Sequence, residues 1–146
     1  MTRENMGYEA VYLEALEVRP ERLEDVRRIL KLREENHRLS REAFADLLKR
    51  ELPHLAEAFT PEGVGAFLNA PGAYLDGDGY LHLGSVYNGG TEEEALLLAH
   101  FLPKGEVIAL SQEYEPLYGY LVLGEGAVKP LRAALLDDEG RAVWIG

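Results

Sequence analysis

Residues 105–123, GEVIALSQEYEPLYGYLVL, decide how the chain is read. Val107, Ala109, Ser111 and Glu113 fall on one side of an extended segment, and Ile108, Leu110, Gln112 and Tyr114 on the other. After Glu115-Pro116, Leu117, Gly119, Leu121 and Leu123 alternate with Tyr118, Tyr120 and Val122. Period-two alternation identifies strands, and a proline without an amide donor suits the turn between them. The stretch is therefore expected to form a long antiparallel hairpin. Both faces are apolar in the middle, which places it inside a sheet covered on both sides or at a subunit interface. Gly119, in mid-strand, marks a bulge or a close approach by another group.

Working outward, Gly105 is preceded by Thr91 to Leu102, where Thr91 and Glu94 form a capping box for a helix that is apolar nearly all round. Asp76-Gly77-Asp78-Gly79 is expected as a turn between Ala73–Leu75 and the strand Tyr80–Tyr87. The first half reads as helices. One opens at Pro20 with acidic residues early and basic ones late. A second is capped by Ser40 and interrupted near Pro53, and a short third runs from Thr60-Pro61 to Leu68. Tyr8 to Val18 is expected as one strand whose alternation Glu14 interrupts, and Met1 to Gly7 as a lead-in. Downstream of the hairpin, Ala127 to Leu136 reads as a strand that Pro130 confines to an edge, followed by Arg141 to Ile145. The segregation of helices and strands predicts one α+β domain over residues 1–146, with a mainly antiparallel sheet of about five to seven strands packed against helices concentrated in the N-terminal half.

Composition limits the functions. The 146 residues carry 26 acidic and 15 basic side chains, a net charge of −11. That charge repels phosphate backbones, so no direct nucleic-acid partner is expected. There is no cysteine, which excludes thiolate nucleophiles and cysteine metal sites. MTRENMGYEA lacks a basic segment followed by an apolar run, and no apolar stretch is long enough to span a bilayer. The expectation is a soluble, cytoplasmic protein with no membrane association. Plentiful leucine, glutamate and arginine, with little asparagine, glutamine or methionine, resemble thermophile usage.

Motifs exclude more than they assign. Asp76-Gly77-Asp78-Gly79 begins like a calcium loop, but Tyr87 stands where that loop needs its final glutamate. His37, His54, His82 and His100 have no metal-ligand spacing, so neither metal nor cofactor is expected. Neither a phosphate-loop pattern nor a GxSxG elbow occurs. What remains is the polar end of the central hairpin. Glu113, Tyr118 and Tyr120 are candidate ligand-binding residues, with Tyr12, Glu14 and His82 as possible neighbours across the sheet. Tyrosine combines a large contact area with a polar tip. A carboxylate desolvated among such rings can serve as acid or base.

The leading expectation is a non-enzymatic binding or regulatory domain, forming a homodimer and engaging a protein or small molecule. The alternatives are a hydrolase-like acid/base enzyme centred on Glu113 and an acidic inhibitor or mimic that engages a basic protein.

Overall fold

The chain is described here by a computed structural model covering residues 8–145. The lead-in expected over Met1 to Gly7 lies outside the described residues. Ten strands and four α-helices follow in the order β1 (Glu9–Tyr12), β2 (Leu16–Glu17), α1 (Leu23–Glu35), α2 (Arg41–Glu51), α3 (Gly65–Leu68), β3 (Tyr74–Leu75), β4 (Tyr80–His82), β5 (Ser85–Tyr87), α4 (Glu92–Leu98), β6 (Val107–Gln112), β7 (Tyr118–Gly124), β8 (Ala127–Arg132), β9 (Ala134–Leu136) and β10 (Ala142–Ile145). The fold is α+β, with the helices mostly in the N-terminal half, as the segregation of patterns predicts. No helix among the described residues is long and apolar enough to cross a membrane.

The expected central hairpin is β6–β7, and β6 occupies the middle of a five-stranded antiparallel sheet ordered β5-β1-β6-β7-β8. Smaller sheets, β2-β4-β3 and β9-β10, complete the architecture. One face of the large sheet carries Ala10, Tyr12, Val86, Ile108, Leu110 and Val122 into a single core with Phe44, Phe59, Phe67 and Phe101 from the helical half. The other face is mixed and open: Glu9, Ser85, Ser111 and Lys129 share it with aliphatic side chains, of which Val11 is 37% exposed, Leu13 47%, Val107 44% and Leu123 45%. The two-sided apolar pattern of the hairpin thus corresponds to one packed face and one open face.

Local chemistry explains the element ends. Ser40 Oγ accepts the Ala43 N–H at 3.1 Å and starts α2. Pro53, with no amide to donate, ends that helix and begins a 3-10 segment at Pro53–Ala58. Asp76 Oδ1 accepts the N–H groups of Asp78 and Tyr80 at 2.8 and 3.0 Å, closing the turn before β4. Pro130 lies on the edge strand β8 opposite Tyr120, where its missing donor leaves no internal ladder bond unmade.

Two continuous strands of the sequence reading are each broken in space. Tyr8–Val18 divides into β1 and β2, which belong to different sheets. Tyr12 and Leu16 are buried while Glu14 is exposed, so the residue that interrupts the alternation marks where the chain leaves the large sheet. Ala127–Leu136 divides at Ala133, whose N–H turns to Leu117 O at 3.2 Å, and the chain continues into the separate β9–β10 hairpin. The late helix is also shorter than its apolar run. It ends at Leu98, and Phe101 and Leu102 fill the core from the turn that follows.

Gly119 is the close approach its position suggested. A Cβ there would stand 2.2 Å from Ile108 O, a backbone atom of the paired strand that cannot move aside. Gly119→Ala is expected to destabilise the protein by about 2–4 kcal/mol or prevent folding, whereas Gly72→Ala, which meets no atom within 4 Å, changes stability by less than about 0.5 kcal/mol. Urea unfolding of the two variants checks this, and equal midpoints would contradict the packing described.

Candidate functional site

Glu94 occupies the third position of α4. Thr91 Oγ1 accepts the Glu94 N–H at 3.2 Å, which is half of the expected capping box. The other half is absent, because the Glu94 side chain turns into the core instead of back to its cap. Its carboxylate is fully buried. Oε1 accepts the Tyr12 hydroxyl at 2.7 Å and the Gly90 N–H at 2.8 Å. Oε2 has no hydrogen-bond partner among the described residues.

The surroundings of Oε2 follow from Gly65. A methyl group on Gly65 would stand 3.3 Å from Glu94 Oε2 and 3.3 Å from both Arg41 Nε and Nη2. The guanidinium on α2 and the carboxylate on α4 therefore approach one spot above the α3 backbone, yet they are not close enough to form an ion pair. Burial raises the Glu94 pKa from its ordinary 4.5 to about 7; the bonds from Tyr12 and Gly90 and the charge of Arg41 oppose that rise. Tyr12 is pushed well above its usual value, first by burial and then by the adjacent Glu94.

Gly90 links this buried group to the surface. Its φ is +81°, and a Cβ would lie 2.3 Å from the Tyr118 hydroxyl oxygen and 2.7 Å from Ala10 Cβ, so only glycine fits. While its N–H points to Glu94, its carbonyl accepts the Tyr118 hydroxyl at 3.0 Å. The same hydroxyl lies 3.4 Å from Gln112 Oε1. Tyr118 meets Tyr120 edge to face, with ring centroids 6.3 Å apart. Burial, then the neighbouring Tyr120, raises the Tyr118 pKa to about 12, so the phenol remains a hydrogen-bond donor at neutral pH.

Beyond Tyr118 lies an open cleft of about 420 Å³. Gly90, Gln112 and Tyr118 line it together with Glu115, Pro116 and Leu117 of the β6–β7 turn and Arg132 of β8, which stands opposite Tyr118 in register. Arg132 makes no ion pair with a described residue. The cleft combines a guanidinium, a primary amide, a phenol and a carboxylate with a small apolar wall, which are groups that bind and orient a ligand. Among the described residues no cluster of three or more histidine, aspartate or glutamate side chains could hold a metal ion.

Of the six residues singled out by the sequence, the structure brings three together: Tyr12, Tyr118 and Tyr120 surround Glu94 and its loop. Glu113 is exposed in the β6–β7 turn beside Tyr114, whose φ is +67°, and does not line the cleft. Glu14 is exposed at the bend after β1. His82 belongs to the small β2-β4-β3 sheet, where it bonds Asp76 at 2.8 Å and stacks on Tyr74. Sequence reasoning missed Glu94, Gly90 and Arg132. Glu94 was hidden by its place in a capping box, although a glutamate immediately before an apolar run is the signal that could have revealed it.

No protein-family model, curated protein or solved structure matches this chain.

A carboxyl whose pKa is raised on folding stabilises the fold fully below its unfolded value, and that contribution fades as pH rises through the folded value. For Glu94 the window runs from 4.5 to about 7. Glu94→Gln keeps the Oε1 acceptor and cannot ionise. Between about pH 5 and about pH 8, wild-type stability should therefore fall relative to this variant by on the order of 3 kcal/mol. Denaturant titrations across that range test it; a constant difference between the two proteins would show that Glu94 does not titrate in this window.

Proposed function

We propose that the chain is a non-enzymatic binding domain that takes a small carboxylate-bearing ligand in the cleft between Tyr118 and Arg132 and works as a homodimer. The observation that carries the ligand reading is Arg132, a cation without an ion-pair partner among the described residues, in a protein with a net charge of −11. Guanidinium groups recognise carboxylates through paired hydrogen bonds. Pro116 and Leu117 on the opposite wall suit an apolar side chain. A short branched aliphatic carboxylate satisfies both.

The acid/base alternative requires one carboxylate that is both desolvated and open to a cleft. Glu94 is desolvated but sealed, and Glu113 is exposed in a turn. That division favours binding over catalysis. Isothermal titration with leucine, leucinamide and 4-methylpentanoate separates the contributions. Leucine and 4-methylpentanoate should bind, leucinamide, which lacks the carboxylate, should bind more weakly, and Arg132→Gln should weaken leucine by roughly tenfold or more. Absence of heat with all three probes, or leucine binding unchanged in the variant, would exclude this cleft as the site.

The homodimer reading rests on the open sheet face and on the β9–β10 hairpin. Among the described residues that hairpin pairs with no third strand and exposes Leu135, Leu136 and Val143 by 60–67%, and a lone two-stranded hairpin is marginal in water. With Val11, Leu13, Val107 and Leu123, these side chains supply the apolar surface that a second copy would cover. A symmetric pair covers both surfaces with one self-complementary contact. Light scattering at micromolar concentration should give twice the chain mass, and Leu123→Lys should give a folded monomer. A wild-type monomer would remove the dimer from this reading while leaving the ligand cleft standing.

A further inference from the structure

A second cleft, of about 610 Å³, lies between α1 and the segment Ala70–Leu75 and shares no lining residue with the Tyr118–Arg132 site. Arg27, Lys31 and Arg33 line it with a single carboxylate, Glu34, and the ring of Tyr74 forms part of its wall. Even with Glu34 in the lining and Glu24 paired to Arg27, three cations leave this cleft positive in an otherwise acidic protein. We propose that this cleft binds a nucleoside phosphate, with the base stacked on Tyr74 and the phosphate held by Arg27, Lys31 and Arg33.

The aromatic side of the cleft is built rather than incidental. Tyr74 is 53% exposed, yet its ring is fixed. It stacks on His82 with centroids 4.4 Å apart and an interplanar angle of 3°. His82 Nε2 in turn lies 2.8 Å from Asp76 Oδ2, while Asp76 Oδ1 accepts two backbone N–H groups of the Asp76–Tyr80 turn. A half-exposed ring held by a second ring and a clamped carboxylate is a preorganised stacking platform, which reduces the ordering a ligand must impose. Aromatic side chains take any base through its π-face.

The cationic side has groups free to act. Arg33 is anchored through Nε to Leu68 O at 3.3 Å, which leaves its terminal nitrogens available. Arg27 pairs with Glu24 on the exposed face of α1, and such surface pairs exchange readily for a phosphate. Lys31 makes no ion pair with a described residue. The cleft volume falls in the range of small-molecule sites, roughly 300–1,000 Å³.

The test is calorimetric titration of the full chain with AMP, adenosine and ribose 5-phosphate at low salt. AMP should bind, and the two fragments should each bind at least about tenfold more weakly, because each lacks one anchor. Tyr74→Ala removes an exposed ring and should reduce AMP to the level of ribose 5-phosphate. Lys31→Ala should weaken AMP while leaving adenosine unchanged. Circular dichroism establishes that both variants are folded. The proposal is overturned if AMP gives no heat at millimolar concentration, if ribose 5-phosphate matches AMP, or if the Tyr74 variant binds AMP as wild type does.

Discussion

One carboxylate taken out of water ties together pieces of chain that lie far apart in sequence. Glu94 on α4 accepts the hydroxyl of Tyr12 on β1, 82 residues away, and the N–H of Gly90 in the loop before its own helix. Its second oxygen faces the backbone of α3 at Gly65 and the guanidinium of α2. Helical layer, central sheet and connecting loop thus converge on one acidic group. An apolar side chain there would fill space without setting direction. A buried acceptor demands its donors at hydrogen-bond distance, and so it specifies how α4 sits on β1. The same demand holds the loop in the conformation that presents the Gly90 carbonyl to Tyr118 and shapes the cleft beyond it.

The parts of this fold legible in the sequence were those governed by local periodicity. Alternation in Val107–Leu123 identified the central hairpin, Gly119 announced its close strand contact, and Ser40, Thr91 and Asp76 announced caps and turns that are present. Where two sheets share one run of alternating residues, periodicity alone could not show the break. β1 and β2 have the same pattern, and only the exposed Glu14 between them marks the change of sheet. The candidate site was legible in its aromatic half, Tyr12, Tyr118 and Tyr120. On the acidic side the sequence singled out Glu113 at the polar end of the hairpin, whereas the carboxylate buried beside those tyrosines sits on a helix read as simply capped. Deciding between a cap and a core role for Glu94 requires knowing that Tyr12 lies within reach, which is a tertiary fact.

The large sheet is asymmetric in an informative way. Its inner face reaches the phenylalanine-rich core, and its outer face keeps aliphatic side chains in water although charged residues are abundant elsewhere in the chain. Solvent-facing positions of antiparallel sheets normally alternate to polar residues. Val11, Leu13, Val107 and Leu123 therefore distinguish this face from the charged surface elsewhere in the chain.

The sealing of Glu94 also has a temporal consequence. Its carboxylate has no exposed surface, so a proton reaches or leaves it only when the loop at Gly90 or the packing over Tyr12 opens transiently. The charge state inside the protein therefore does not follow the solvent instantaneously. After an abrupt change in acidity the core keeps its earlier protonation until an opening event lets it equilibrate. Opening of the packing over Glu94, rather than diffusion of protons in the solvent, therefore limits how fast this group exchanges its proton.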